Sequence, residues 1–305
     1  MNYIVFDLEW NQGPHRSEPH EEPTFEIIEI GAVKLNQEFQ IIDNYQSLVK
    51  PQLYDTMHRY TAEIVNLDMK DLQKERCFKE VTEEFLKWCG DDFIFCIWGV
   101  QDLTEFQKNM DYYHMEPLSK GPIKYYDVQK LYSLACEDGK ARTSLSGVVE
   151  AENMMEEEVP FHRAYEDAYY TARIFNRIVS KKLLERVSFD TYRIPNDSRE
   201  QIFWKFEDYT KFISQGYEEK SKLMTNKNVS CVKCIYCDKA LSKKIPWYTL
   251  NNGKHYYTVA KCSEHGMMKG KIRLRKNKDD KYFAVKTVKQ ISEAEAETIL
   301  SKKRH

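Results

Sequence analysis

Three runs rich in β-branched and aromatic residues fill the first 50 positions of the chain: NYIVFDLEW (2–10), FEIIEIGAVKL (25–35) and EFQIIDNYQSLV (38–49). Runs of this length and composition read as strands. Asn36-Gln37 joins the second and third through a loop of hairpin length. After Pro51 the apolar period becomes helical over 61–67 and 78–89, and FIFCIW (93–98) returns to a short apolar run that fits a buried strand. A helix from about Leu103, a strand at IKYYD (123–127), a helix after Asp127 and a long helix over 164–184 follow. Strands in a meander, then strands alternating with helices, specify an α/β fold with a mixed sheet flanked by helices.

A chain of 305 residues is long enough for two domains. The first is expected over 1–184. Residues 185–225 are polar and aromatic without a clean period and read as a partly helical connector. From 226 to 305 the pattern changes to successive hairpins, with the strand-like run IPWYTL, the turn pair Asn252-Gly253, KHYYTVAKC and GKIRLRKNKDDKYFAVKTVKQI. Ser292 followed by Glu295 is the capping signal of a short terminal helix. The net charge of −2 conceals a division: from Ser221 onward there are 20 Lys and Arg against 7 Asp and Glu, whereas residues 1–220 hold 26 against 41. A basic tail behind an acidic body is the charge pattern of a chain that meets nucleic acid.

No stretch approaches the ~20 consecutive apolar residues of a membrane span. The amino terminus, MNYIVFDLEW, lacks the basic start and small-residue cleavage site of a secretory signal, so a cytoplasmic protein with no membrane partner is expected. Cys77, Cys89, Cys96 and Cys136 are scattered among apolar neighbours as small buried thiols. Cys231, Cys234, Cys237 and Cys262 fall close together, and in a reducing compartment such a cluster suggests metal before disulfides.

Asp7 and Glu9 are two apart in an apolar strand and point to one face, with Phe6 and Leu8 turned to the other. Carboxylates held that close repel each other unless a cation lies between them. Asp102 follows the strand that ends at Trp98-Gly99 and stands at a helix start, where alone it would be an ordinary cap. Asp167 lies in the late helix of FHRAYEDAYYTARIF, and His162 precedes it by five. Five helical residues turn about 140°, so the two converge only if His162 lies in the loop before the helix, which Pro160 favours.

In this order, FDLEW, the WG-x-x-D form around Asp102 and H-x-x-x-x-D opening the late helix resemble the DEDDh exonucleases of the DnaQ-like superfamily, on the ribonuclease H-like fold. EIIEIGAVKL and WG-x-x-D are most similar to the branch of KapD-like sporulation inhibitors and histone-mRNA 3′ exonucleases. The resemblance covers about residues 1–182; the insert NQGPHRSEPHEEP between the first two strands departs from it. It implies a 3′-to-5′ exonuclease with Asp7, Glu9, Asp102, His162 and Asp167 as its site, acting on single-stranded RNA, or DNA, from a free 3′ end and releasing nucleoside 5′-monophosphates. Two magnesium or manganese ions are implied, which suits phosphodiester hydrolysis and a cage of hard oxygen ligands. Asp7 would bridge both ions, Glu9 and Asp167 complete one site, Asp102 hold the second, and His162 serve as general base. Glu105, Asp91, Asp92 and Asp111 read as solvated neighbours.

Cys234-x-x-Cys237, a hairpin, then Cys262-x-x-His265 is the spacing of a zinc ribbon, with one structural zinc. Cys231 could stand in for one cysteine, since Cys231-x-x-Cys234 has the same spacing, and His255 for His265. Tyr248, Tyr256 and Tyr257 among Lys271, Arg273 and Arg275 offer stacking and phosphate contacts, or else a small core under a solvated surface. Two classes of function remain: a nuclease, or a non-catalytic binder using an inactive nuclease fold with a basic zinc module. The intact set of four acids and one histidine favours the enzyme.

Overall fold

The computed structural model describes residues 1–13, 23–65, 67–156, 162–251 and 253–302. The chain packs as two compact units, one of residues 1–118 and 123–190, the other of 119–122 and 191–305. The insert named above, Pro160 and Asn252 fall wholly or largely outside the described residues.

In the first unit, strands β1 (Asn2–Gln12), β2 (Phe25–Leu35) and β3 (Ile41–Leu48) form the expected meander. Helices α1 (Arg59–Val65), α2 (Met69–Leu72) and α3 (Phe78–Cys89) lead to β4 (Phe93–Ile97), α4 (Gln101–Tyr112), β5 (Ile123–Asp127), α5 (Val128–Cys136), α6 (Leu145–Ala151), α7 (Ala164–Ile178), α8 (Lys181–Leu184) and β6 (Ser188–Asp190). The sheet order is β3-β2-β1-β4-β5-β6, antiparallel at the meander and at β6, parallel between β1, β4 and β5. This is the mixed sheet flanked by helices that the sequence specifies. The α3 and α4 side holds an aromatic core in which the ring of Phe6 lies 6.0 Å from those of Phe85 and Phe106. The opposite face receives α7, with Phe175 5.7 Å from Tyr3.

Two local expectations differ. The β2–β3 loop runs over five residues, because the Asn36 side chain accepts the amides of Glu38 and Gln40 and holds an open turn with Phe39 in left-handed backbone. The helix expected over 164–184 breaks at Val179, which turns extended, and Ser180 caps a fresh turn through Leu183.

The second unit holds β7 (Ile202–Lys205), β8 (Tyr209–Ile213), α9 (Lys220–Thr225), α10 (Lys227–Ser230), β9 (Ser242–Asn251), β10 (His255–Cys262), β11 (Gly266–Lys276), β12 (Tyr282–Ile291) and α11 (Glu293–Lys302). Its sheet runs β7-β8-β12-β11-β10-β9 with every pairing antiparallel. Strands β7 and β8 come from the segment read as a connector; they are short aromatic runs that alternate too briefly to register as a period. The Ser292 hydroxyl accepts the amide of Glu295 and opens α11. Among the described residues no helix is long and apolar enough to cross a membrane.

Candidate functional site

Register places the acids. Asp7 stands opposite Gly31 and Glu9 opposite Glu29 across β1 and β2, all on the face that receives α7. Asp167, in the first turn of α7, comes down onto them, and one ligand oxygen from each of Asp7, Glu9 and Asp167 lies within 4.8 Å of the others. Burial, followed by repulsion from Asp102, Asp167, Glu9 and Glu29, holds the Asp7 carboxyl well above its usual range. Burial and the same neighbours raise Glu9 to about 8, and burial above all raises Asp102 and Asp167 to about 7. Asp167 Oδ1 is buried without a hydrogen-bond partner. Crowded carboxylates and an orphaned oxygen are what a hard dication would satisfy.

Asp102 enters from another direction and is not part of that triad of oxygens. Strand β4 pairs with β1 only as far as Cys96 opposite Val5, so β1 runs on beyond it without a strand partner on that side. The buried Asp102 carboxylate accepts the amide of Leu8 there and sits close enough to raise the Asp7 pKa. It is the second residue of α4, past the cap position held by Val100, and its carboxylate also accepts its own backbone amide, so it is not the helix cap. Glu105, read as solvated, is buried 2.8 Å from Lys108 Nζ with its other oxygen unpartnered.

His162 is exposed, in left-handed backbone with φ 73°, and lies in the turn just before α7 as convergence requires. Its amide donates to the Asp167 carboxylate. The next residue, Arg163, is the N-cap position of α7 and grips Glu29, with Nε 2.9 Å and Nη2 2.8 Å from the two carboxylate oxygens. Glu29 is fully buried and also accepts Gln46 Nε2 at 2.9 Å. Sequence reasoning passed over Glu29 because Glu26 and Glu29 look like equivalent acids of one strand. Glu26, beyond a bulge in β2, does different work, accepting the amides of Gln52, Leu53 and Tyr54. A β-carbon on Gly31 would overlap the backbone of Ala164 and Tyr165, so glycine is what lets α7 close on the sheet.

In the second unit Cys234, Cys237, Cys262 and His265 bring one ligand atom each within 4.8 Å. Cys237 and Cys262 Sγ are 3.8 Å apart, and His265 Nδ1 is 3.6 Å from both Cys234 and Cys262 Sγ. Tetrahedral zinc with bonds of about 2.3 Å separates sulfurs by roughly 3.8 Å, so the donor set and spacing fit that ion. The Glu264 amide, with help from His265, draws the Cys262 thiol down to about 6. Neither Cys231 nor His255 joins this group. Lys271, Arg273 and Arg275 alternate onto one face of β11, where Tyr257 is the partner of Lys271 and Tyr248 the partner of Tyr257. Tyr256 turns to the opposite face and packs against the core of Leu223, Ile272 and Ala284, so for that tyrosine the core reading is right.

A family model described as exonuclease matches residues 4–175. Over 161 residues, half of this chain, it is 35% identical to a PolC-type DNA polymerase III of Thermotoga maritima and 34% identical to that of Thermotoga petrophila. The chain spans 10% of the length of those relatives. Among solved structures, the nuclease domain of 3′hExo, a DEDDh family member bound to rAMP, is 21% identical at TM-score 0.48 over 58% of this chain and 90% of that one. A full-length 3′-exonuclease is 19% identical at TM-score 0.48, over 58% and 80%. The matched span of 4–175 contains Asp7, Glu9, Asp102, the turn at His162 and Asp167, and by that match the chain belongs to the exonuclease family, on the ribonuclease H-like fold.

Proposed function

We propose that the chain is a 3′-to-5′ exonuclease of single-stranded nucleic acid, RNA in preference to DNA, that releases nucleoside 5′-monophosphates. The observation that supports it most is the convergence of Asp7, Glu9 and Asp167 within 4.8 Å, with the buried Asp167 Oδ1 unpartnered. Asp7, Glu9, Asp167 and Asp102 would hold two magnesium or manganese ions, and such ions, when bound, lower the pKa of water and neutralise charge on the attacking and leaving oxygens. The remaining work belongs to side chains. His162 accepts the proton of the attacking water at an imidazole nitrogen, as its exposed place beside Asp167 allows. Arg163 is spent on Glu29, so it steadies the turn and leaves the acids uncompensated for a cation to fill.

The preference for RNA follows from the resemblance of EIIEIGAVKL and WG-x-x-D to the histone-mRNA branch. One structural zinc on Cys234, Cys237, Cys262 and His265 would anchor the turns of the second unit, and the basic face of β11 would meet the phosphates of the strand.

The test is incubation with RNA and DNA labelled at the 3′ or the 5′ end, with and without magnesium or manganese. The 3′ label should leave first, as a mononucleotide, only with metal and faster from RNA. Asp7→Asn should abolish release. Early loss of the 5′ label, or near-normal turnover by Asp7→Asn, overturns the assignment.

A further inference from the structure

Wholly within the second unit, a cavity of about 270 Å³ opens over the β7–β8–β12 part of the sheet. Its floor is a row set by register: Phe203 opposite Phe212, and Phe212 opposite Lys286. Phe203 is 54% exposed, although it lines the concavity. Lys286 is 8% exposed, with Nζ 2.5 and 2.8 Å from the carbonyls of Asn228 and Cys231 and 5.2 Å from the Phe212 ring. Two of its three ammonium donors are therefore taken and one is left.

The wall adds an acceptor and the rim adds charge. Gln201, a residue of the lining, gives Nε2 to the Ser198 carbonyl at 3.0 Å, which fixes its amide, and its Oε1 has no donor. Lys227 and Lys233 are exposed at the rim, and among the described residues neither side chain makes an ion pair or a hydrogen bond. The one acid of the lining, Asp238, lies 3.6 Å from Lys205. An uncovered ring, an unpaired buried acceptor and surplus positive charge form a complementary set. They match a flat heterocycle bearing an exocyclic N–H and joined to an anion. The volume lies just under the usual span for small-ligand sites, roughly 300–1,000 Å³, which suits one base inside with its phosphate at the mouth.

We propose that this cavity binds a single nucleotide, base over Phe203, exocyclic amine on Gln201 Oε1, phosphate at Lys227 and Lys233. The nucleotide is either a free 5′-monophosphate or one residue of a strand. The proposal does not require the acidic cluster to be catalytic.

The full chain carrying Asp7→Asn, so that nothing is cut, is titrated calorimetrically without added divalent ion. The probes are AMP, CMP, UMP, inorganic phosphate and a ten-residue adenylate strand. AMP and CMP should bind several-fold more tightly than UMP, which lacks the exocyclic amine, and phosphate more weakly still. Phe203→Ala and Lys233→Ala, both at exposed positions and expected to melt as the parent does, should each weaken AMP binding roughly tenfold, within the range for losing one base stack or one charge-assisted contact. A strand that binds more tightly than AMP and loses affinity with both variants identifies the residue of a strand as the ligand. AMP binding that both variants weaken while the strand ignores them identifies the free nucleotide. AMP and strand binding that neither variant alters, or no saturable binding of either, overturns the proposal.

Discussion

Among the acids facing α7, Glu29 is the one whose charge is already matched, by the two guanidinium contacts of Arg163. Breaking a buried pair by removing one partner costs roughly 3–5 kcal/mol, and the 31% exposure of Arg163 brings the figure here to about 2 kcal/mol. Glu29→Gln is therefore expected to lower the unfolding free energy by that amount and to bring the denaturation midpoint down with it. It should also slow the nuclease about tenfold through kcat with KM nearly unchanged, because the turn carrying His162 loses its anchor. Pairing it with Arg163→Gln should cost less than the sum of the two single changes, whereas an additive pair would show that the contact has no coupling worth measuring. Asp7 and Glu9 were legible because a period of two puts both on one face of an otherwise apolar strand. The roles of His162 and Asp167 came from the family resemblance, while the place of His162 in the turn ahead of the helix was legible from helix pitch and Pro160. Glu29 was not: its partner lies 134 residues away, and only the fold shows that Arg163, beside the histidine, needs a buried anion.

At the scale of elements, α7 carries Asp167 in its first turn, has His162 in the turn before it, and closes on β2 where a β-carbon at Gly31 would meet its backbone. Gly31→Ala forces the helix outward, and overpacking of this kind costs roughly 1–3 kcal/mol. The expected result is a lowered melting midpoint together with weakened manganese affinity, since Asp167 moves while Asp7 and Glu9 stay. A variant that melts lower but binds manganese as before would separate the seating of α7 from the acidic cluster. In the second unit the Cys and His turns meet without a large core, only a small cluster around Val232, Ile235 and Met268. Cys262→Ser is expected to remove one zinc per chain by elemental analysis and to lose the cooperative melt of that unit; full zinc content in the variant would point to other ligands. The strands of the meander were readable because long alternating runs carry their own period. Strands β7 and β8, at four and five residues, acquire theirs only by pairing, β8 with β12 and β7 with β8, and the break at Val179 is a local cap that a helical period cannot express.

Over the whole molecule, the buried acids set how stability follows pH. Glu9 near 8 and Asp102 and Asp167 near 7 lie above their ordinary values, which are close to those of the unfolded chain. Folding then favours the protonated forms: their contribution is complete below about pH 4 and is lost as pH rises through 7 to 8. Without divalent ions the melting midpoint should fall between pH 5 and pH 8. Magnesium or manganese should raise it more at pH 8 than at pH 5, because the ionised cluster binds them. A metal-free midpoint that climbs over that range would contradict the crowding of these acids. The clamp between Glu29 and Arg163 has one more consequence, in the order in which the chain is made. Synthesis delivers Asp7, Glu9 and Glu29 first, and Arg163, which clamps Glu29, only 134 residues after it. Until α7 emerges from the ribosome the two strand acids have neither Asp167 nor His162 beside them, so the acidic cluster stays incomplete on the nascent chain.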